Sequence, residues 1–256
     1  MRDATRKSIT GRRVPGFSLV ELLVVIAIIT LLVSILIPTL NRAKDLAKKA
    51  VCASNQKALG DALAQYAADN RHFFPPLTEQ NGAAGIQKQD SNNWAHRFHT
   101  QAGSWWNLGY LWADAYSETP GPLYYCPSQP NKWFRYETYA DPAFPQDVSN
   151  GTTTGVRITY YYNPTCTSTA NRNRLYTNTL NMPPTAILLV DSLEGPSSVA
   201  HRQTSGEPGW EVLSGDCSVR FVIDPKVVDA MNASSNWTGS DYASFDTVIG
   251  RLTTAR

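Results

Sequence analysis

The sequence predicts an α+β chain: one long N-terminal helix, apolar in its first half and amphipathic in its second, packed on an antiparallel β-sheet head with long loops. Three observations carry this. Residues 19–37 hold a single charge, Glu21, among Leu, Val, Ile, Ala, Thr and Ser. From Ala43 to Ala67, apolar residues recur at three- and four-residue steps. Beyond about residue 77, short β-branched and aromatic runs alternate with polar tracts such as QDVSNGTTTG and TSTANRNRLYTNT.

Composition narrows the class. The formal net charge of +2 gives no broad basic footprint, so no nucleic-acid partner is expected. Charged residues make up 17% of the chain, below the usual quarter, which suits a loop-rich β domain outside the cytoplasm. Seven Trp and twelve Tyr are enough to bury, which excludes disorder.

Each element follows in order. The run 19–37 is long enough as a helix, roughly 28 Å at about 1.5 Å per residue, to cross a bilayer core. Its β-branched residues do not oppose a helix there, because in lipid the segment must satisfy its own backbone. Arg2, Arg6, Lys7, Arg12 and Arg13 precede it against only Asp3, so this end is expected in the cytoplasm and the remainder exported. A cleaved secretory signal would carry a shorter apolar region followed by a small-residue site. Here Pro38-Thr39-Leu40-Asn41-Arg42 follows, and the small residue that stands out, Gly16, lies before the run. Cutting is therefore expected on the cytoplasmic side, leaving the helix on the mature protein.

Gly16-Phe17-Ser18-Leu19-Val20-Glu21 resembles the processing site of type IV prepilins and type II secretion pseudopilins. The resemblance covers roughly the first 70 residues. It implies cleavage after Gly16 by a membrane-embedded prepilin peptidase, N-methylation of Phe17, an assembly role for Glu21 and a helix kink at Pro38. It also implies a pilin-like fold, partners among other pilin or pseudopilin subunits and an inner-membrane assembly platform, contact with membrane lipid, and no cofactor. The expected location is the inner membrane, single-pass, with the head in the periplasm or an extracellular filament. The expected organisation is a basic leader at 1–16, a transmembrane segment at 17–40, an amphipathic continuation at 41–72 and an exported head at 73–256.

Glu21 then has a physical reading. An unpaired charge at the bilayer centre costs roughly 2.5–3.5 kcal/mol on insertion scales. After cleavage Phe17 carries a free amine, and family behaviour implies that the Glu21 carboxylate of an incoming subunit pairs with the Phe17 amine of a neighbour. A second reading is compatible with it: Ser18-Leu19-Val20-Glu21 fits a capping box, with the acid also favoured by the helix dipole.

Beyond Pro38, which can bend a helix without ending it, Ala43, Leu46, Ala47, Ala50, Val51, Leu59, Ala62, Leu63, Tyr66 and Ala67 form one face. Arg42, Lys44, Lys48, Lys49, Asn55, Gln56 and Lys57 form the other. Asp69-Asn70-Arg71 and Pro75-Pro76 end the helix near residue 70.

In the head, Trp105, Leu108, Leu111, Trp112 and Ala115 predict a helix over 104–116. Strands are predicted at 123–126, 156–162, 185–191, 210–213 and 217–223, with a hairpin turn at Ser214-Gly215-Asp216 and Val219 and Phe221 facing the core. The stretch from His201 is similar to the tail of a pilin-like group in which a His precedes an Asp-Gly; here Cys217 follows Asp216 instead of Gly.

No catalytic site is expected. Asp191, Ser192 and His201 invite a triad, but no nucleophile elbow accompanies them. His96 and His99 would share a helix face without further ligands, and Asp216, Asp224, Asp241 and Asp246 match no calcium loop, so no metal is expected. Cysteines stand at 52, 126, 166 and 217. Cys126 and Cys166 each follow a predicted strand and are a possible disulfide pair, though spacing does not settle connectivity. Cys52 on the helix reads as a small core residue. Two functions remain: a pilin-like or pseudopilin filament subunit that is not an enzyme, or an exported ligand-binding or enzymatic head on a prepilin-type anchor.

Overall fold

The computed structural model describes residues 17–75, 97–100, 105, 107–114, 116, 121–140, 144–145, 148–149, 154–163, 179–191, 193, 199–202, 206–233 and 242–254. It is α+β, with a long N-terminal apolar helix and an antiparallel sheet toward the C-terminus. The chain divides into two units between Lys44 and Asp45.

Helix α1 spans Leu19–Asp69, 51 residues, with Pro38 inside it. In the first unit its apolar side chains from Leu19 to Leu40 are exposed. In the second unit the periodic face goes inside only from Cys52 onward, where Cys52, Gln56, Leu59, Gly60, Ala62, Leu63, Tyr66 and Ala67 are buried; Leu46, Ala47, Ala50 and Val51 of the predicted face, like Ala43 before them, are exposed. The predicted polar face is exposed in part, as in the Lys57–Asp61 pair (3.0 Å), but Gln56 is not on it. The end comes where expected. The Asn70 N–H and side-chain amide both donate to the Tyr66 carbonyl, and Arg71 and His72 turn left-handed at φ 54° and 66°.

The head carries two sheets. Strands β1 (Arg97–Thr100), β2 (Val148–Ser149) and β3 (Thr154–Arg157) form an antiparallel sheet in the order β1-β3-β2. The larger sheet runs β4 (Tyr161–Tyr162), β5 (Ile187–Val190), β7 (Pro208–Ser214), β6 (His201–Arg202), with β8 (Val219–Val222) also paired to β7. β7 is its centre and is buried along all seven residues. Alternate side chains serve the two faces. Leu213 joins Leu59, Leu63 and Tyr66 of α1 in one cluster. Gly60 lets the helix come close there, since a Cβ at that position would stand 3.0 Å from Leu213 Cδ2.

Trp210 and Val212 point to the other cluster, with Val227 and Met231 of α3 (Pro225–Ala233) and Val248 and Leu252 of α4 (Tyr242–Thr254). The sheet is therefore covered by helix on both faces, and α3 and α4 are elements the sequence analysis did not assign. Asp224 begins α3 by accepting the Lys226 N–H at 3.0 Å, and Pro225 takes the first helical position.

Several local expectations are corrected. Residues 123–126 are not a strand: Gly121–Tyr124 is a single 3-10 turn with Leu123 and Tyr124 buried. Pro122 lacks the N–H a strand would use. The helix over 104–116 contracts to α2, Gly109–Ala113, because Asn107 adopts φ 52° and breaks the first turn. His99 lies on strand β1, not on a helix face, and His96 lies outside the described residues. The predicted strand 156–162 divides into β3 and β4, separated at Ile158–Tyr160. The β7–β8 hairpin turns at Gly215-Asp216, where Asp216 Oδ1 accepts from both the Ser218 N–H and hydroxyl at 2.9 and 2.6 Å. Val219 is packed against the core as expected, half-buried. Cys217, at the position held by Gly in the similar tails, takes φ 60°.

Candidate functional site

The N-terminal turn of α1 is built by two side chains. Glu21 Oε2 accepts the Ser18 N–H at 2.8 Å, and Ser18 Oγ accepts the Val20 N–H at 3.3 Å. Reciprocal use of these groups satisfies donors that a helix start leaves open, so the capping reading of Ser18-x-x-Glu21 holds. Phe17, four residues before that carboxylate, is 72% exposed. Gly16 lies outside the described residues.

The polar residues of the apolar run are neutralised locally. Thr30 Oγ1 donates to the Ile26 and Ala27 carbonyls, Ser34 Oγ to Leu31 O at 2.7 Å, and Thr39 Oγ1 to Leu36 O at 2.8 Å. Each hydroxyl hides its donor on its own helix, as a segment in hydrocarbon requires. That leaves Glu21 as the one ionisable group between Phe17 and Leu40. The helix is long and apolar enough to cross a membrane, and its most apolar window is wholly unburied.

Residues 11–37 match the prokaryotic N-terminal methylation motif. The chain is similar to type II secretion system core protein G of three bacteria. Identity to the Pseudomonas aeruginosa protein is 33% over 100 residues, 39% of this chain and 64% of the relative. The Aeromonas hydrophila protein is 39% identical over 30% of this chain and 52% of its own length. The Escherichia coli protein is 43% identical over 25% of this chain and 43% of its own. The chain thus spans less than two thirds of the length of each relative. No solved structure matches. The apolar helix and these similarities support anchoring in a membrane.

In the head, the structure brings together two of the three suspected triad residues. His201 Nε2 lies 3.6 Å from Asp191 Oδ2, both groups fully enclosed, while Ser192 lies outside the described residues. The same ring nitrogen also faces Cys126 Sγ at 3.3 Å. A triad needs one imidazole nitrogen on the acid and the other on the nucleophile, so this geometry is not a charge-relay. Nor is the pair an ion pair at neutral pH. Burial, assisted by Lys49, pushes His201 down to about 4, and burial pushes Asp191 up to about 6 against its hydrogen bonds. Glu211, beside Asp191, is pushed up to about 7 by burial and by that neighbour.

Asp191 is held by Gln56, expected on the exposed face of α1, and by the backbone of Glu211. Gln56 Nε2 donates to its Oδ1 at 3.1 Å and to the Glu211 carbonyl at 2.9 Å, and the Glu211 N–H donates to Oδ2 at 3.0 Å. Gln56 therefore fastens α1 to β5 and β7. Cys52, Cys126 and Cys217 carry free thiols; Cys166, the other half of the suspected pair, lies outside the described residues. Asp216 and Asp224 serve a turn and a helix start, and Asp241 lies outside the described residues.

Proposed function

We propose that the chain is a pilin-like or pseudopilin subunit of a type II secretion or type IV pilus filament, working by assembly and not by catalysis. The observation that supports it most is Glu21: a lone acid in the first turn of an apolar, exposed helix, immediately after the Gly16-Phe17 junction. In this reading a prepilin peptidase removes residues 1–16 and methylates Phe17. The basic leader faces the cytoplasm, residues 17–40 cross the inner membrane, 41–72 continue the helix, and the head is exported. The exposed apolar half of α1 buries against the same half of neighbouring subunits. Glu21 of one subunit neutralises the Phe17 amine of another, and Pro38, which removes one backbone donor, sets a bend in the packed helices.

The relatives named as core protein G favour the secretion filament over the surface pilus. The test is mass spectrometry of the native N-terminus in cells with and without the peptidase. The expected species begins at N-methylated Phe17 and disappears without the peptidase. An intact Met1, or a cut after residue 40, overturns the reading.

A further inference from the structure

Four metal-binding side chains from distant parts of the chain converge inside the head. Cys52 comes from α1, Cys126 from the loop after the 3-10 turn Gly121–Tyr124, Asp191 from the end of β5 and His201 from β6. One donor atom of each lies within 4.8 Å of all the others, and all four residues are buried. We propose that Cys52, Cys126, Asp191 and His201 form a tetrahedral zinc site that ties α1 to the sheet.

The geometry supports this in three ways. Zinc–sulfur bonds of about 2.3 Å and zinc–nitrogen or –oxygen bonds of about 2.0–2.1 Å set the edges of a tetrahedron at roughly 3.3–3.8 Å. The donors stand near that range before any ion draws them in: Cys52 Sγ is 3.2 Å from Asp191 Oδ1, Cys126 Sγ is 3.3 Å from His201 Nε2, and His201 Nε2 is 3.6 Å from the other Asp191 oxygen, Oδ2. Second, one imidazole nitrogen faces both a thiol and a carboxylate oxygen, the arrangement of donors around a shared point.

Third, the surrounding groups hold the donors in place, as the outer partners of metal ligands do. Gln56 Nε2 and the Glu211 N–H grip the two oxygens of Asp191, the Tyr160 hydroxyl lies 3.4 Å from Cys52 Sγ, and the Cys126 N–H donates to Thr159 Oγ1 at 3.0 Å. With Zn2+, both thiols lose their protons to solvent and the two thiolates and the carboxylate face a divalent charge, leaving the site at −1 with a neutral imidazole. No water-filled path to the site is needed for such a structural role, and four coordinating side chains leave no open position for chemistry. Zinc here would act as a cross-link among segments that are far apart in sequence.

The test uses the full-length chain in detergent under reducing conditions. Inductively coupled plasma mass spectrometry should find one zinc per chain. Co2+ added after chelation should give the visible bands of a tetrahedral site and the near-ultraviolet band of thiolate-to-cobalt charge transfer. Cys126→Ser and His201→Gln should each weaken Zn2+ binding by more than the roughly 10- to 100-fold that loss of an outer partner costs. Cys217→Ser, outside the cluster, should bind as the parent does. The cobalt spectrum of the unaltered chain reads the site even if a variant fails to fold. A chain that takes up neither ion, a cobalt spectrum without the thiolate band, or an intact mass showing a Cys52–Cys126 disulfide overturns the proposal.

Discussion

Replacing Glu21 with glutamine separates the two jobs that its carboxylate performs. A glutamine carbonyl can still accept the Ser18 N–H that Glu21 takes at 2.8 Å, so the helix start survives. Only the charge is lost. Glu21 is the third residue of α1, about 3 Å along from Leu19 at roughly 1.5 Å per residue, so it sits near one edge of the apolar span. Its unpaired cost is therefore below the roughly 2.5–3.5 kcal/mol of the bilayer centre; about 1–2 kcal/mol is a fair value. That is the driving force that pairing with a neighbouring Phe17 amine would release. At tenfold per 1.4 kcal/mol, its loss should raise the subunit level needed for filament growth roughly 5- to 30-fold. Sheared-filament yield, measured against graded expression, reads this threshold, and mass spectrometry confirms that the variant is still cut and methylated at Phe17. Matured Glu21→Gln subunits that polymerise at the parent's threshold would refute the charge-pairing argument. Glu21→Leu should do worse, because it also removes the cap, at about 1 kcal/mol of helix stability.

Three further outcomes follow from the head. Gln56→Leu removes the donor shared by Asp191 and the Glu211 carbonyl, but also removes Oε1, which has no partner among the described residues. The net cost should be about 2 kcal/mol, a fall in Tm of about 4–8 °C for a domain of this size, and a change below 1 °C would contradict the pinning role. Cys217→Gly relieves a left-handed residue at φ 60° whose thiol makes only a 3.9 Å contact with the Gly60 carbonyl; thermal melting should show a gain of about 1 kcal/mol, and a loss would mean the thiol matters more than the backbone. Leu252→Ala empties a fully buried position on α4 and should cost about 2–5 kcal/mol by urea unfolding; a near-neutral result would show that α4 is not part of the core.

The long helix was legible because three signals agree on it: an unbroken apolar run, a clear period and a capping pair at the expected start. β5 was legible from its own apolar run, and β7 and β8 from the runs on either side of the Ser214-Gly215-Asp216 turn. The C-terminal helices were readable in principle. Asp224-Pro225 is a helix-start signature, and Val227 with Met231, and Val248 with Leu252, are four-residue pairs on one face. The strand expected at 123–126 failed because aromatic and apolar residues there are buried by a turn, and burial alone does not distinguish the two. Gln56 looked like surface because its polarity put it on the wrong side of a periodic count; only tertiary structure supplies its acceptors. Of the Cys52, Cys126, Asp191 and His201 cluster, the sequence paired only Asp191 with His201, as triad candidates, and left both cysteines apart from them. Metal motifs are recognised by close spacing, and these ligands meet only once α1 is laid on the sheet.

The burial of Leu59, Leu63 and Tyr66 has a consequence for how such a protein can be divided. A fragment beginning at residue 77 would lack one whole wall of its own interior and should aggregate, so the head is not a detachable cargo. A protease that releases soluble material must cut upstream of Cys52.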